Sequence, residues 1–133
     1  MKIVVLKFGG TSVGTIEKIK KVTDIIIEHK KKKNKVIVVS SAMSGVTNDL
    51  IKKSKQISNN FIDSEYDVLV SSGEQVACSL IAGRLNHKGF KSRSWLGWQI
   101  PIFTNGPYTN SRIQQVNKNK LLRFLKEGGI PII

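Results

Sequence analysis

The sequence predicts an α/β fold built on an open, largely parallel sheet with helices over both faces. Two features carry that reading. The short apolar runs at residues 3–7 and 36–39 are continuous rather than alternating, the pattern of strands buried on both sides. Longer stretches between such runs place apolar residues at helical spacing, so strands and helices take turns along the chain. With 133 residues there is material for one core and one compact domain, and no repeat or linker divides it.

Each element follows in order. Residues 3–7 form a β-branched run that ends in Gly9-Gly10, a strand entering a tight turn. Residues 15–30 set Ile16, Ile19, Val22 and Ile26 on one helical face, with Lys18, Lys21, Asp24 and Glu28 elsewhere. Val36-Ile37-Val38-Val39 is the second strand. The polar stretch from Ser40 to Asn48 leads into a helix carrying Leu50, Ile51 and Ile57. Residues 64–88 read as helical on both sides of a break at Ser71-Ser72-Gly73, the second half amphipathic through Val76, Ala77, Leu80, Ile81 and Leu85. Residues 90–96 and 100–104 are weaker strand candidates. A short helix from Lys118 to Lys126 stops at Gly128-Gly129, and Ile130-Pro131-Ile132-Ile133 begins one more strand.

Composition removes several classes. Hydrophobic residues at 40% and charged residues at 23% describe a globular chain rather than a disordered one. No apolar run approaches the roughly 18–20 residues that span a bilayer, and Lys2 and Lys7 bracket too short an apolar stretch for a secretory signal. One cysteine, Cys78, makes no internal disulfide and reads as core filler in a reducing compartment, so a cytoplasmic protein is expected. The net charge of +13 invites a nucleic-acid reading, but 18 of the 22 cations are lysine, and arginine is the side chain suited to bidentate recognition. The densest run, Lys30 to Lys33, follows a helix whose dipole favours cations at that end. His29 and His87 stand at helix ends in the same way, and no Cys, His and carboxylate cluster suggests a metal site. Trp95 and Trp98, flanking Leu96-Gly97, read as packing around a turn.

Ligands of open parallel sheets bind beyond the carboxyl ends of the strands. Three polar loops take that position: residues 7–14, 40–48 and 71–75. In the first, Gly9-Gly10 allows backbone N–H groups to approach an anion beside Lys7, or makes an ordinary glycine turn. It is not a common P-loop, because Thr15 stands where lysine is needed after Gly14. In the second, hydroxyls and amides at a helix start suit a carboxylate or phosphate, or Thr47 or Asn48 simply caps the helix. In the third, Glu74 either complements a helix dipole or holds a substrate ammonium.

Together these segments are more specific than any one. KFGGTSVG at the start, VVSSAMSGVTN near residue 40 and SSGEQVACSL near residue 71 resemble the aspartate kinases of the amino-acid kinase family, in order and in spacing. SWLGWQIPIFT and the helix before EGGIPII look similar too, so the resemblance covers essentially the whole chain. It implies a three-layer αβα sandwich around a mainly parallel open sheet. It implies transfer of the γ-phosphoryl group of ATP, brought with Mg2+, to the side-chain carboxylate of L-aspartate, the first step toward lysine, threonine and methionine. Lys7 matches the family's catalytic lysine, and Lys7, Phe8, Gly9 and Gly10 match its ATP-binding turn. Ser41, Thr47 and Glu74 match its aspartate contacts, and no protein-held metal is implied. The resemblance further implies that residues 1–133 are the N-terminal part of the kinase domain. The family's substrate Arg, catalytic Asp, adenine-binding region and regulatory ACT domains then fall outside them, and these residues alone are expected not to turn over aspartate. The expected partners are L-aspartate, ATP, and either the remaining half of the domain or further copies of the chain. Other readings are a related kinase for glutamate, acetylglutamate or carbamate, an inactive remnant or assembly subunit, and a nucleic-acid binder with steep salt dependence.

Overall fold

The structure, a computed structural model, describes residues 2–133. Ten elements follow one another: β1 (Ile3–Phe8), α1 (Ile16–Lys31), β2 (Lys35–Ser40), α2 (Val46–Ile57), α3 (Asp63–His87), β3 (Ser92–Ser94), β4 (Ile102–Asn105), β5 (Arg112–Val116), α4 (Asn119–Lys126) and β6 (Ile130–Ile132). Four strands make an all-parallel sheet in the order β1-β2-β6-β3, and β4 and β5 pair as a separate antiparallel hairpin.

Alternation along the strands sorts side chains into two layers. Val36 and Val38 of β2 and Ile130 and Ile132 of β6 are buried in one core with Ile19, Val22 and Ile26 of α1 and Cys78, Ile81 and Leu85 of α3. On the opposite face α4 packs on β2 and β6, and its Leu121 joins Trp95 and Ile100 in a second, smaller core. Helices, sheet and helix therefore form three layers, as expected. The cover is uneven, however: Ile3 and Val5 of β1 are 49% and 60% exposed, so the two-sided burial read from residues 3–7 is met on one side only.

β6 lies in the middle of the sheet although it contains proline, which lacks a ladder donor. Ile130 N–H donates to Lys91 O on the β3 side and Ile133 N–H to Val38 O on the β2 side. By that alternation the missing donor of Pro131 faces β2, where the register holds the single pair Val38 and Ile132.

Three expectations need correction. The break at 71–73 does not exist: α3 runs unbroken from Asp63 to His87. Its serines satisfy themselves within the helix, Ser71 Oγ donating to Val68 O at 3.1 Å and Ser72 Oγ to Leu69 O at 2.6 Å. The buried stripe of its second half is Ala77, Cys78, Ile81, Ala82 and Leu85, whereas Val76 and Leu80 are exposed, as is Ile16 of α1. The strand β5 was unforeseen because all five of its residues are exposed and leave no burial pattern.

Gly73 belongs in α3 for contact. A Cβ there would stand 3.0 Å from Ala42 Cβ and 3.2 Å from Val46 Cγ1, whereas Gly83 of the same helix has nothing within 4 Å. Gly73→Val is therefore expected to destabilise the fold by about 1–3 kcal/mol through overpacking. Gly83→Ala should be neutral or stabilise by up to about 1 kcal/mol through helix propensity. Thermal unfolding of the two variants checks the pair, and equal melting temperatures would refute the contact.

Candidate active site

The carboxyl ends of β1 and β2 lie side by side, Lys7 in register with Val39 and Phe8 with Ser40. The chain leaving β1 turns at once, Ser12 N–H donating to Gly9 O at 2.9 Å. Thr15 then starts α1 as its N-cap and accepts from the Lys18 N–H, which explains why this loop carries threonine where a P-loop has lysine. Lys18 Nζ returns to Thr11 O at 2.9 Å and ties the turn to the helix, a contact that the sequence reading did not foresee.

The loop after β2 packs backbone to backbone on this turn. Ser41 N–H donates to Phe8 O at 3.0 Å. A Cβ on Gly10 would stand 3.0 Å from Ala42 O, and one on Gly14 would stand 3.0 Å from Ser44 Cβ, so both glycines are required for the fit. Gly9 differs: a Cβ there would meet nothing within 4 Å, so no internal contact calls for glycine at the exposed side of the turn.

The loop ends at Gly45, the N-cap of α2, in the left-handed region at φ 85°. Neither Thr47 nor Asn48 caps the helix. Thr47 sits half-buried in the first turn of α2, and the N-cap Gly45 offers no side-chain cap. Its neighbour Val46 is the residue that approaches Gly73 of α3.

Glu74 follows Gly73 deep inside α3, far from either helix end, so the dipole explanation for this carboxylate falls away. Instead Glu74 Oε1 accepts from the Ala42 backbone N–H at 3.3 Å. One oxygen thus fastens α3 to the β2–α2 loop. The structure sets Lys7 and Phe8 at the end of β1, Gly9 and Gly10 in the turn after it and Ser41 in the adjoining loop after β2, and Glu74 reaches that loop from α3, while Thr47 stands in the first turn of α2. Convergence of three segments was expected, but the third is a helix rather than a loop.

A cavity of about 300 Å3 opens beside α3, walled by Glu74, Gln75, Cys78, Trp95, Trp98 and Ile133. Burial, and then the Glu74 carboxylate, push the Cys78 thiol up to about 11. Among the described residues no group of three or more His, Cys, Asp or Glu side chains is placed to hold a metal ion. Nor is any helix among them long and apolar enough to cross a membrane.

The model of the amino acid kinase family matches residues 2–133. The chain belongs to that family. Its aspartokinase relative from Geobacillus stearothermophilus is 46% identical over all 133 residues, which make up 33% of that protein. The aspartate kinase of Synechocystis superposes with a TM-score of 0.84 at 34% identity, over 98% of this chain and 21% of that one. Escherichia coli aspartokinase III, solved with aspartate and ADP, shares the fold with a TM-score of 0.80 at 19% identity, over 99% of this chain and 40% of that one. The chain therefore spans about a third of the curated aspartokinases it matches.

For this amino acid kinase chain the thiol gives a test of the Glu74 environment. Below pH 9 Cys78 is protonated folded or unfolded, and above it the unfolded chain ionises first. Stability should therefore fall as pH rises from 9 toward 11, and iodoacetamide labelling should stay slow until the same interval. Glu74→Gln should move the onset of labelling to lower pH. Labelling at neutral pH as fast as that of free cysteine would refute the burial.

Proposed function

We propose that these residues form the phosphate-gripping and acceptor-binding part of an aspartate kinase catalytic domain. The reaction is ATP + L-aspartate to ADP + 4-phospho-L-aspartate. What carries the reading is the anchoring of Glu74 on the Ala42 N–H. It sets a carboxylate that has one oxygen to spare beside the loop that packs on the Gly9-Gly10 turn. The aspartokinase relatives, identical at 41–46% over the whole chain, support the choice of acceptor.

In this reading an oxygen of the aspartate side-chain carboxylate attacks the γ-phosphorus, the bond to the β,γ-bridging oxygen breaks, and ADP leaves. No covalent intermediate is needed, so the protein acts by positioning and by stabilising charge. Lys7 meets the negative charge of the group in transfer. The Phe8-Gly9-Gly10 turn offers backbone N–H groups, and the N-terminus of α1 adds its positive end. Ser41 and Thr47 hold the reacting carboxylate, and Glu74 pairs with the α-ammonium. Mg2+ arrives on the phosphates of ATP; the described residues contribute no cluster to hold it. The rest of the domain, by the share of the relatives' length, comes from further polypeptide.

The assay is a chimera in which residues 1–133 replace the matching third of the Geobacillus relative. Aspartate-dependent ADP release is expected, and release driven instead by glutamate, acetylglutamate or carbamate would reassign the acceptor. Lys7→Ala should lower kcat by about 10²–10³-fold with little change in the KM for ATP. A variant with near-normal kcat and a raised KM would reject the catalytic role. Glu74→Gln retains an acceptor for the Ala42 N–H and so isolates the charge: the KM for aspartate should rise roughly tenfold or more, with ATP affinity preserved.

A further inference from the structure

We propose that the β4–β5 hairpin is an association arm that pairs with the same arm of a second copy of this chain, apolar face against apolar face. The pairing is independent of the aspartate kinase reading.

The hairpin is an outlier in composition. Residues 92–117 hold no Lys, Asp or Glu, in a chain with 22 Lys and Arg and 9 Asp and Glu. Residues 103–117 are all exposed, yet Arg112 is the one charge among them. An exposed stretch that lacks Lys, Asp and Glu and holds Phe, Tyr and Arg has the make-up of an interface core rather than of a solvated loop.

The pairing of the strands gives this stretch an apolar face. Ile102 pairs with Val116 and Thr104 with Ile113, and directly paired residues of an antiparallel ladder share a face. Ile102, at the root, packs against Trp95, Ile100 and Leu121 in the second core. The same stripe then runs out into solvent, with Val116 at 41% and Ile113 at 66% exposure. Beyond Ile102, neither strand packs on another helix or strand among the described residues. A lone two-stranded hairpin is marginal in water and needs something against its apolar face. Free strand edges are commonly guarded by lysine, and this lysine-rich chain places none on β4 or β5. The arm is also held ready. Asn117 N–H donates to Pro101 O at 2.9 Å at its root, and Thr109 N–H to Asp67 Oδ2 at 3.0 Å at its tip. Such ties lower the ordering cost of association.

Charge selects the occupant. A nucleic acid or an acidic protein is met by cations, and the arm is where this chain is poorest in them. A second copy carries +13 as well, so two copies approach most readily through a surface without lysine, and the arm supplies one. An uncharged apolar face is also self-complementary, as a two-fold interface requires.

Sedimentation velocity of the 133-residue chain tests the pairing. A monomer–dimer equilibrium is expected at concentrations up to about 100 µM. Dimerisation should tighten about threefold or more between about 0.1 M and about 1 M sodium chloride, because screening damps the repulsion between two positive copies. Ile113→Lys and Val116→Lys should each weaken it roughly tenfold or more, with thermal unfolding showing that both variants remain folded. Val5→Lys and Ile57→Lys, at exposed apolar positions outside the arm, should leave it unchanged. A chain that stays monomeric throughout, or a dimer indifferent to both arm substitutions, would overturn the assignment. So would a dimer that Val5→Lys disperses equally well, or one that loosens as salt rises.

Discussion

The site hangs on one close approach, that of α3 to the loop after β2. Without a side chain at Gly73, the helix axis comes near enough for Ala42 and Val46 to touch its backbone. That distance lets Glu74 reach the Ala42 N–H, and Ala42 O in turn lies against Gly10. A displaced α3 would therefore release Glu74 from the loop and loosen the loop against the turn after β1. Close packing carries this coupling, because interiors at crystal-like density transmit a misfit instead of absorbing it.

The architecture was legible where burial and periodicity agree. The apolar runs of β1 and β2 and the amphipathic faces of α1 and α4 each announce one element, and Gly128, with φ 83°, ends α4 where the sequence places a stop. The reading failed where a local signal had a non-local cause. Ser71-Ser72-Gly73 has the composition of a breaker, yet serines inside a helix can bond back to the preceding turn, and a glycine there can serve a neighbouring element. Nothing local distinguishes a glycine that ends a helix from one that admits a loop. The hairpin strand β5 failed for the opposite reason, since a fully exposed strand has no hydrophobic pattern to read.

The candidate site was legible in position but not in mechanism. Lys7, Gly9, Gly10 and Ser41 adjoin as their strand-end positions suggest, because parallel strands in register bring their exits together. Glu74 also arrives at that edge, but through a mid-helix contact in place of a helix terminus. Its partner, Ala42, is a residue type with no side-chain chemistry, so only the fold could reveal it. The cavity was invisible for a related reason. Trp95 and Ile133 line it together with α3 only because β6 inserts between β2 and β3, a crossover no local pattern encodes.

Charge follows a similar logic at longer range. The chain carries 22 Lys and Arg against 9 Asp and Glu, so an acid exposed to this surplus would readily be neutralised by a nearby lysine. The ion pairs among the described residues are Asp49 with Lys53, Asp24 with Arg84 and Glu127 with Lys91, and neither Lys7 nor Glu74 takes part in one. A backbone N–H, which is a dipole and not a cation, holds Glu74 in place, so the carboxylate is oriented without a cationic partner among the described residues. Lys7 at the tip of β1 is exposed and forms no ion pair among the described residues. Under the proposed function, an enzyme joining a phosphate to an ammonium-bearing acid needs a cation and an anion that are not paired with each other. Anchoring the anion to a neutral donor on the loop that packs on the Gly9-Gly10 turn is consistent with that proposal, and a lysine in place of the Ala42 N–H would work against it.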